Sequence, residues 1–184
     1  MPHVPQRSTL AGDLADMDRR LRNLEATARN GLSRIAFAFQ NDGIAVPTYD
    51  AWFKTDGVTT FPSITLVTGR RCIIQVGVLA TQFGSASTFK AKQGLFGFGL
   101  DGLNPDDTPT FTQNLRQFYF DSNNLYLPMA FAVTFGGTAP GWGEALEPGV
   151  HTFQVWCWAT YDGAGSVDPV FDDAWIMVTP LDVV

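Results

Sequence analysis

The chain has 184 residues and carries 12 Lys and Arg against 18 Asp and Glu, a net charge of −6 with His neutral. A chain this acidic lacks the basic surface that phosphate-backbone binding requires, so no nucleic-acid partner is expected. No run of about 18 apolar residues occurs, so no membrane insertion is expected, and "MPHVPQRSTL" lacks the apolar stretch of a secretory signal.

Residues 1–9 hold Pro2 and Pro5 and read as an extended leader. From Leu10 the apolar residues Leu10, Leu14, Met17, Leu21, Leu24 and Ala28 recur at steps of four and three. That is a heptad seam, and residues 10–31 are read as a coiled-coil helix ended by Asn30-Gly31. With Leu14 and Leu21 at a and Met17 and Leu24 at d, Arg20 (g) and Glu25 (e) can pair between chains, whereas Asp13 and Asp18 repel. The stripe is too narrow for a helix lying on a sheet, so the helix is expected to bind copies of itself. Fewer than three heptads hold little alone, so the helix adds to a larger β-domain interface.

Residues 32–184 read as one antiparallel β-sandwich, jelly-roll-like, with no second helix. Strands are expected over 33–40, 44–53 (interrupted by Pro47), 63–69, 71–81, 94–100, 116–121, 125–135, 151–161 and 174–181, separated by turns such as "NDG", "DSNN" and "YDGAG". In "FQVWCWA", Phe153, Val155 and Cys157 share one face and Trp156 and Trp158 the other. An outer face should be polar, so Trp156 and Trp158 are assigned with the heptad residues to oligomerisation.

Chemistry is sparse. Glu144 and Glu147 are the only glutamates of the β-domain and share one loop, which offers no pair of carboxylates across a cleft. The acidic stretch "DGLNPDD" lacks the spacing of a calcium loop and reads as a solvated turn. His151 at a strand entrance has no nucleophile motif near it. "GFGLDG" lacks the helix a nucleotide site needs; its glycines make room for bulky neighbours. Cys72 and Cys157 read as buried free thiols, and with His3 and His151 they make no zinc site. No catalytic residue, cofactor or metal is expected. Trp142, in the loop "APGWGEA", is the candidate ligand contact, for a sugar face or a protein pocket.

A leader, the heptad helix "LADMDRRLRNLEATAR", Phe/Trp/Gly-rich strands, "LEPGVHTFQVWCWAT" and a closing "AWIMVTPLDVV" follow in order. Pro148, Gly149, His151 and Phe153 match a turn-and-strand motif, and Val178, Pro180 and Leu181 a closing strand. In both, the chain resembles small minor tail and fibre-like proteins of tailed actinobacterial phages. Similar patterns occur in trimeric tumour-necrosis-factor-like jelly rolls. The resemblance implies a non-enzymatic virion protein, trimeric rather than dimeric, docked onto other virion proteins through residues 1–9. The alternatives it leaves are a capsid decoration or head-fibre protein, and a carbohydrate- or receptor-binding module facing a host-surface glycan.

Overall fold

The computed structural model describes residues 17–22, 35–84, 88–108, 114–121, 123, 125–136, 145–162 and 165–182. The chain divides into two compact units, Met1–Ile35 and Ala36–Val184. In the first, residues 17–22 are helical. Met17 and Leu21, four residues apart, are both exposed, and Asp18 pairs with Arg22 one turn on, at 2.8 Å. Leu10, Leu14, Leu24 and Ala28, the leader, and Trp142 lie outside the described residues.

The described strands of the second unit pair antiparallel: β1 (Ala36–Gln40), β2 (Ile44–Ala45), β3 (Ser63–Thr68), β4 (Cys72–Gln82), β5 (Gln93–Leu100), β6 (Leu115–Tyr119), β7 (Leu125–Phe135), β8 (Gly149–Ala159) and β9 (Val170–Pro180). One sheet runs β1-β9-β4-β7, with β2 also on β9, and the other β3-β8-β5-β6. Apart from β1–β2 and β5–β6, successive strands lie in opposite layers, in the strand order of a jelly roll. The expected sandwich is therefore found. The expected strand 44–53 is not continuous. β2 stops before Pro47, and the chain meets β8 again at Asp50, whose N–H donates to the Ala159 carbonyl at 2.9 Å, and at Phe53, bridged to Cys157.

Period-two alternation builds the core. β8 turns Phe153, Val155, Cys157 and Ala159 inward, and β9 turns Phe171, Ala174, Ile176 and Val178 inward. Rings tie the layers together: Phe98 of β5 meets Phe135 of β7 at 5.7 Å, and Phe118 of β6 meets Phe171 of β9 at 5.9 Å. Cys72 and Cys157 are buried and unpaired. Burial, helped by Asp182, pushes the Cys72 thiol up to about 12, and burial alone pushes Cys157 well above its ordinary range. Both therefore stay protonated and unreactive. β7 is an edge strand, which is where a sheet tolerates Pro128.

Candidate functional site

An uncovered apolar surface of the sandwich lies on the outer face of the β1-β9-β4-β7 sheet. In "AFAFQ" the small Ala36 and Ala38 turn toward the core, and Phe37 and Phe39 turn out, 62% and 52% exposed. The register carries this outward row across the sheet. Phe39 faces Trp175, Trp175 faces Gly77, and Gly77 faces Ala130. Beside it Phe37, Met177, Gln75 and Ala132 form a second row. Toward the other end Leu79 faces Pro128 and Thr81 faces Tyr126, which is 65% exposed.

Gly77 is needed here. A Cβ at that position would meet the Trp175 indole, so glycine lets Trp175 lie across β4. Phe37 packs against the same indole at 6.3 Å between ring centroids. Between Trp175 and Tyr126 the surface sinks into an open groove of about 420 Å³, with Leu79, Pro128, Met129 and Ala130 among its lining.

One irregularity shapes this groove. Gly77 pairs with Trp175 but Leu79 with Asp172, so β9 holds one extra residue, a bulge. Asp173 sits there at φ +44°, in the left-handed region that Asp tolerates better than most residues. The bulge keeps Phe171 and Ala174 both in the core and brings Asp173 to the groove wall. Asp172 and Asp173 are the only charged residues among the outward strand positions of this face.

Trp156 and Trp158 lie half-buried on the outer face of the other sheet. Trp158 faces Leu95, and Trp156 faces Gly97 with Lys54 Nζ stacked 4.8 Å from its ring. The Trp156 Nε1 is buried and finds no hydrogen-bond partner among the described residues. The chain's own Lys54 thus covers part of the surface that the sequence assigns to oligomerisation. Phe37, Phe39, Tyr126 and Trp175 were not singled out by sequence reasoning, and Asp172-Asp173 drew notice only as an acidic spot that reads as a solvated turn. The signal was the "AFAF" alternation and its counterpart in "LYLPMAFA", both apolar on either side.

His151 is structural. Asp101, in a turn with φ +52°, accepts from His151 Nδ1 and from Thr152 N at 2.7 and 2.8 Å, while His151 Nε2 reaches the Glu147 carbonyl at 2.7 Å. Both ring nitrogens face acceptors, so the imidazolium suits the site. Burial opposes that charge, but the Glu147 carbonyl and the Asp101 carboxylate together raise the pKa above its ordinary 6.5. A raised folded-state pKa stabilises the fold fully below about 6.5 and loses that contribution as pH rises through the raised value. The urea midpoint of the native chain is therefore expected to fall more between pH 6 and pH 9 than that of His151→Gln. Equal falls would show that the clamp adds nothing.

Among the described residues no group of three or more His, Cys, Asp or Glu is placed to hold a metal ion, and no helix is long and apolar enough to cross a membrane. Asn104 caps the turn through Asp106 and Asp107, accepting from both backbone N–H groups at 2.8 and 3.1 Å.

No protein-family model and no curated protein matches the sequence. Among solved structures, a ruminal GH26 endo-beta-1,4-mannanase aligns over 78% of this chain at 12% identity, with a TM-score of 0.28. The chain spans about a quarter (26%) of that enzyme's length. A likeness so distant carries no argument about activity.

Proposed function

We propose that the protein is a non-enzymatic structural protein of a phage virion, a minor tail or fibre protein that works as a homo-oligomer, with three copies as the preferred number. The observation that carries this reading is the apolar outer face of the β1-β9-β4-β7 sheet, where Phe37, Phe39 and Tyr126 are more than half exposed. A contiguous apolar face of this kind marks a surface built to be covered by another molecule. The heptad spacing from Leu10 to Ala28 adds a second self-complementary stripe. Residues 1–9 are the docking segment toward other virion proteins in this reading.

Light scattering on the full chain and on a chain beginning at Leu32 tests the self-association. Both are expected to be oligomeric, the shorter one more weakly, and two monomers would refute the reading. Immunogold labelling of virions separates a tail position from a capsid decoration.

A second reading, a carbohydrate-binding module, is favoured by one observation: the Asp173 carboxylate stands beside Tyr126 and Trp175 at the groove. Stacking rings with a hydrogen-bond acceptor suit a pyranose. A glycan array probed with native protein and with Tyr126→Ala tests it, and binding that does not depend on Tyr126 would remove this groove from consideration.

A further inference from the structure

Four Asp-Gly pairs occur in the chain, at 42–43, 56–57, 101–102 and 162–163. In such a pair the glycine has no side chain to keep its own nitrogen from the aspartate carboxyl. We propose that the Asp42–Gly43 pair, between β1 and β2, is a site of spontaneous modification, where the peptide converts to isoaspartate through a cyclic imide. The Gly43 nitrogen attacks Asp42 Cγ and forms a C–N bond, and the carboxyl hydroxyl leaves with the amide proton as water. Water then opens one of the two C–N bonds that join Asp42 to the imide nitrogen. Opening the original peptide bond leaves the chain running through Cβ and Cγ. No atom is gained or lost overall, but one methylene has entered the main chain.

The fold singles this pair out. Asp56 Oδ1 accepts from Val58 N at 2.8 Å and Thr59 N at 2.7 Å, and Gly57 N donates to Thr55 Oγ1 at 3.0 Å, so both reacting groups of that pair are held. The Thr59 and Val58 amides also keep the Asp56 carboxyl below its usual range, away from the protonated form that loses water. Asp101 accepts from His151 and Thr152 at 2.7 and 2.8 Å, and Asp162 pairs with Lys92 at 3.0 Å. Asp42 is exposed, and among the described residues its carboxylate accepts only from Gln40 Nε2, at 3.1 Å. Packing fixes the glycine beside it, because a Cβ at Gly43 would stand 2.6 Å from Val170 Cγ1. The site lies between two anchors on β9: Gln40 faces Ala174, and the fully buried Ile44 faces Phe171. An extra backbone atom between those anchors strains both registers. β1, an edge strand with only β9 beside it, is the one that yields.

Incubation of the full chain in oxygen-18 water, at physiological temperature and mildly acidic pH, tests the proposal. Ring opening fixes one oxygen-18 at the residue that reacted. Trypsin digestion in ordinary water then places the four pairs on separate segments, 35–54 for Asp42 and 55–70 for Asp56. Label is expected to enter 35–54 at least five-fold faster than the other three segments, with isoaspartate accumulating at position 42. In urea, where the clamps on the other carboxylates are gone, the four rates are expected to converge. Asp42→Glu, whose imide would need a larger ring, is expected to abolish uptake in 35–54 with an unchanged thermal midpoint. Asp42→Asn, which reaches the same imide by losing ammonia, is expected to speed it. Equal uptake by all four segments of the folded chain would overturn the proposal. A lead for 35–54 that persists in urea would overturn its structural basis, because sequence alone would then set the rate. Uptake in 35–54 that survives Asp42→Glu would place the reaction at Asp50 and overturn it as well.

Discussion

Phe98→Ala is expected to destabilise the sandwich by about 4 kcal/mol, the cost of emptying a fully buried aromatic position. Phe98 has no exposed surface and links the two layers, touching Phe135 across the core at 5.7 Å and Phe153 on the neighbouring strand at 6.4 Å. The surrounding rings belong to two sheets that are each held by their own ladders, so they close in poorly on the space left behind. Domains are stable by only roughly 5–15 kcal/mol in total, so one substitution removes a large share. Thermal unfolding of the chain should shift downward by roughly 8–16 °C, whereas Val58→Ala, at a position 94% exposed, should leave the midpoint in place. A shift of only a degree or two would mean that the two layers are less tightly coupled than the ring contacts indicate.

Gly99→Ala is expected to cost about 3 kcal/mol through overpacking. Gly99 faces outward on β5, but the chain folds back over it. An added Cβ would collide with the Leu103 carbonyl and come within 2.6 Å of Trp156 Nε1. Neither neighbour can withdraw easily. Leu103 N donates to the Leu100 carbonyl at 2.9 Å, and Asp101 N to the Thr152 carbonyl at 2.8 Å, which pins the turn to β8. Gly97 is in the same position against the Asn114 carbonyl. Gly149→Ala is the control, because nothing lies within 4 Å of its added carbon. Urea midpoints that fall for Gly99→Ala and hold for Gly149→Ala would confirm that the glycines of β5 are set by close approach.

The reading of "GFGLDG" as room for bulky neighbours was legible in part: Trp156 does crowd Gly99, but the atoms nearest Gly97 and Gly99 are the main-chain carbonyls of Asn114 and Leu103. Long strands bounded by turn residues were legible: 125–135 is found at its expected ends, and 63–69 to within one residue. The segment 44–53 was not, because its apolar residues pack as an irregular arm once Pro47 has broken the ladder. The candidate site was missed for a different reason. Hydrophobicity alone assigns the larger side chain of "AFAF" to the core, yet the alanines face inward and the phenylalanines outward. Only the pairing of β1 with β9 settles which side is which. Trp156 and Trp158 stand out in the sequence by their bulk on the outer side of β8, where Trp156 faces Gly97 under the Lys54 ammonium and Trp158 faces Leu95.

Pro128 has a consequence for how such a protein avoids the wrong kind of assembly. A proline in a border strand withholds a main-chain donor and puts ring bulk where an incoming strand would need to zip. The β7 margin thus resists lengthening of the sheet into an endless cross-β ribbon, although its neighbours Tyr126 and Ala130 are greasy enough to invite one. This margin resists side-by-side polymer growth.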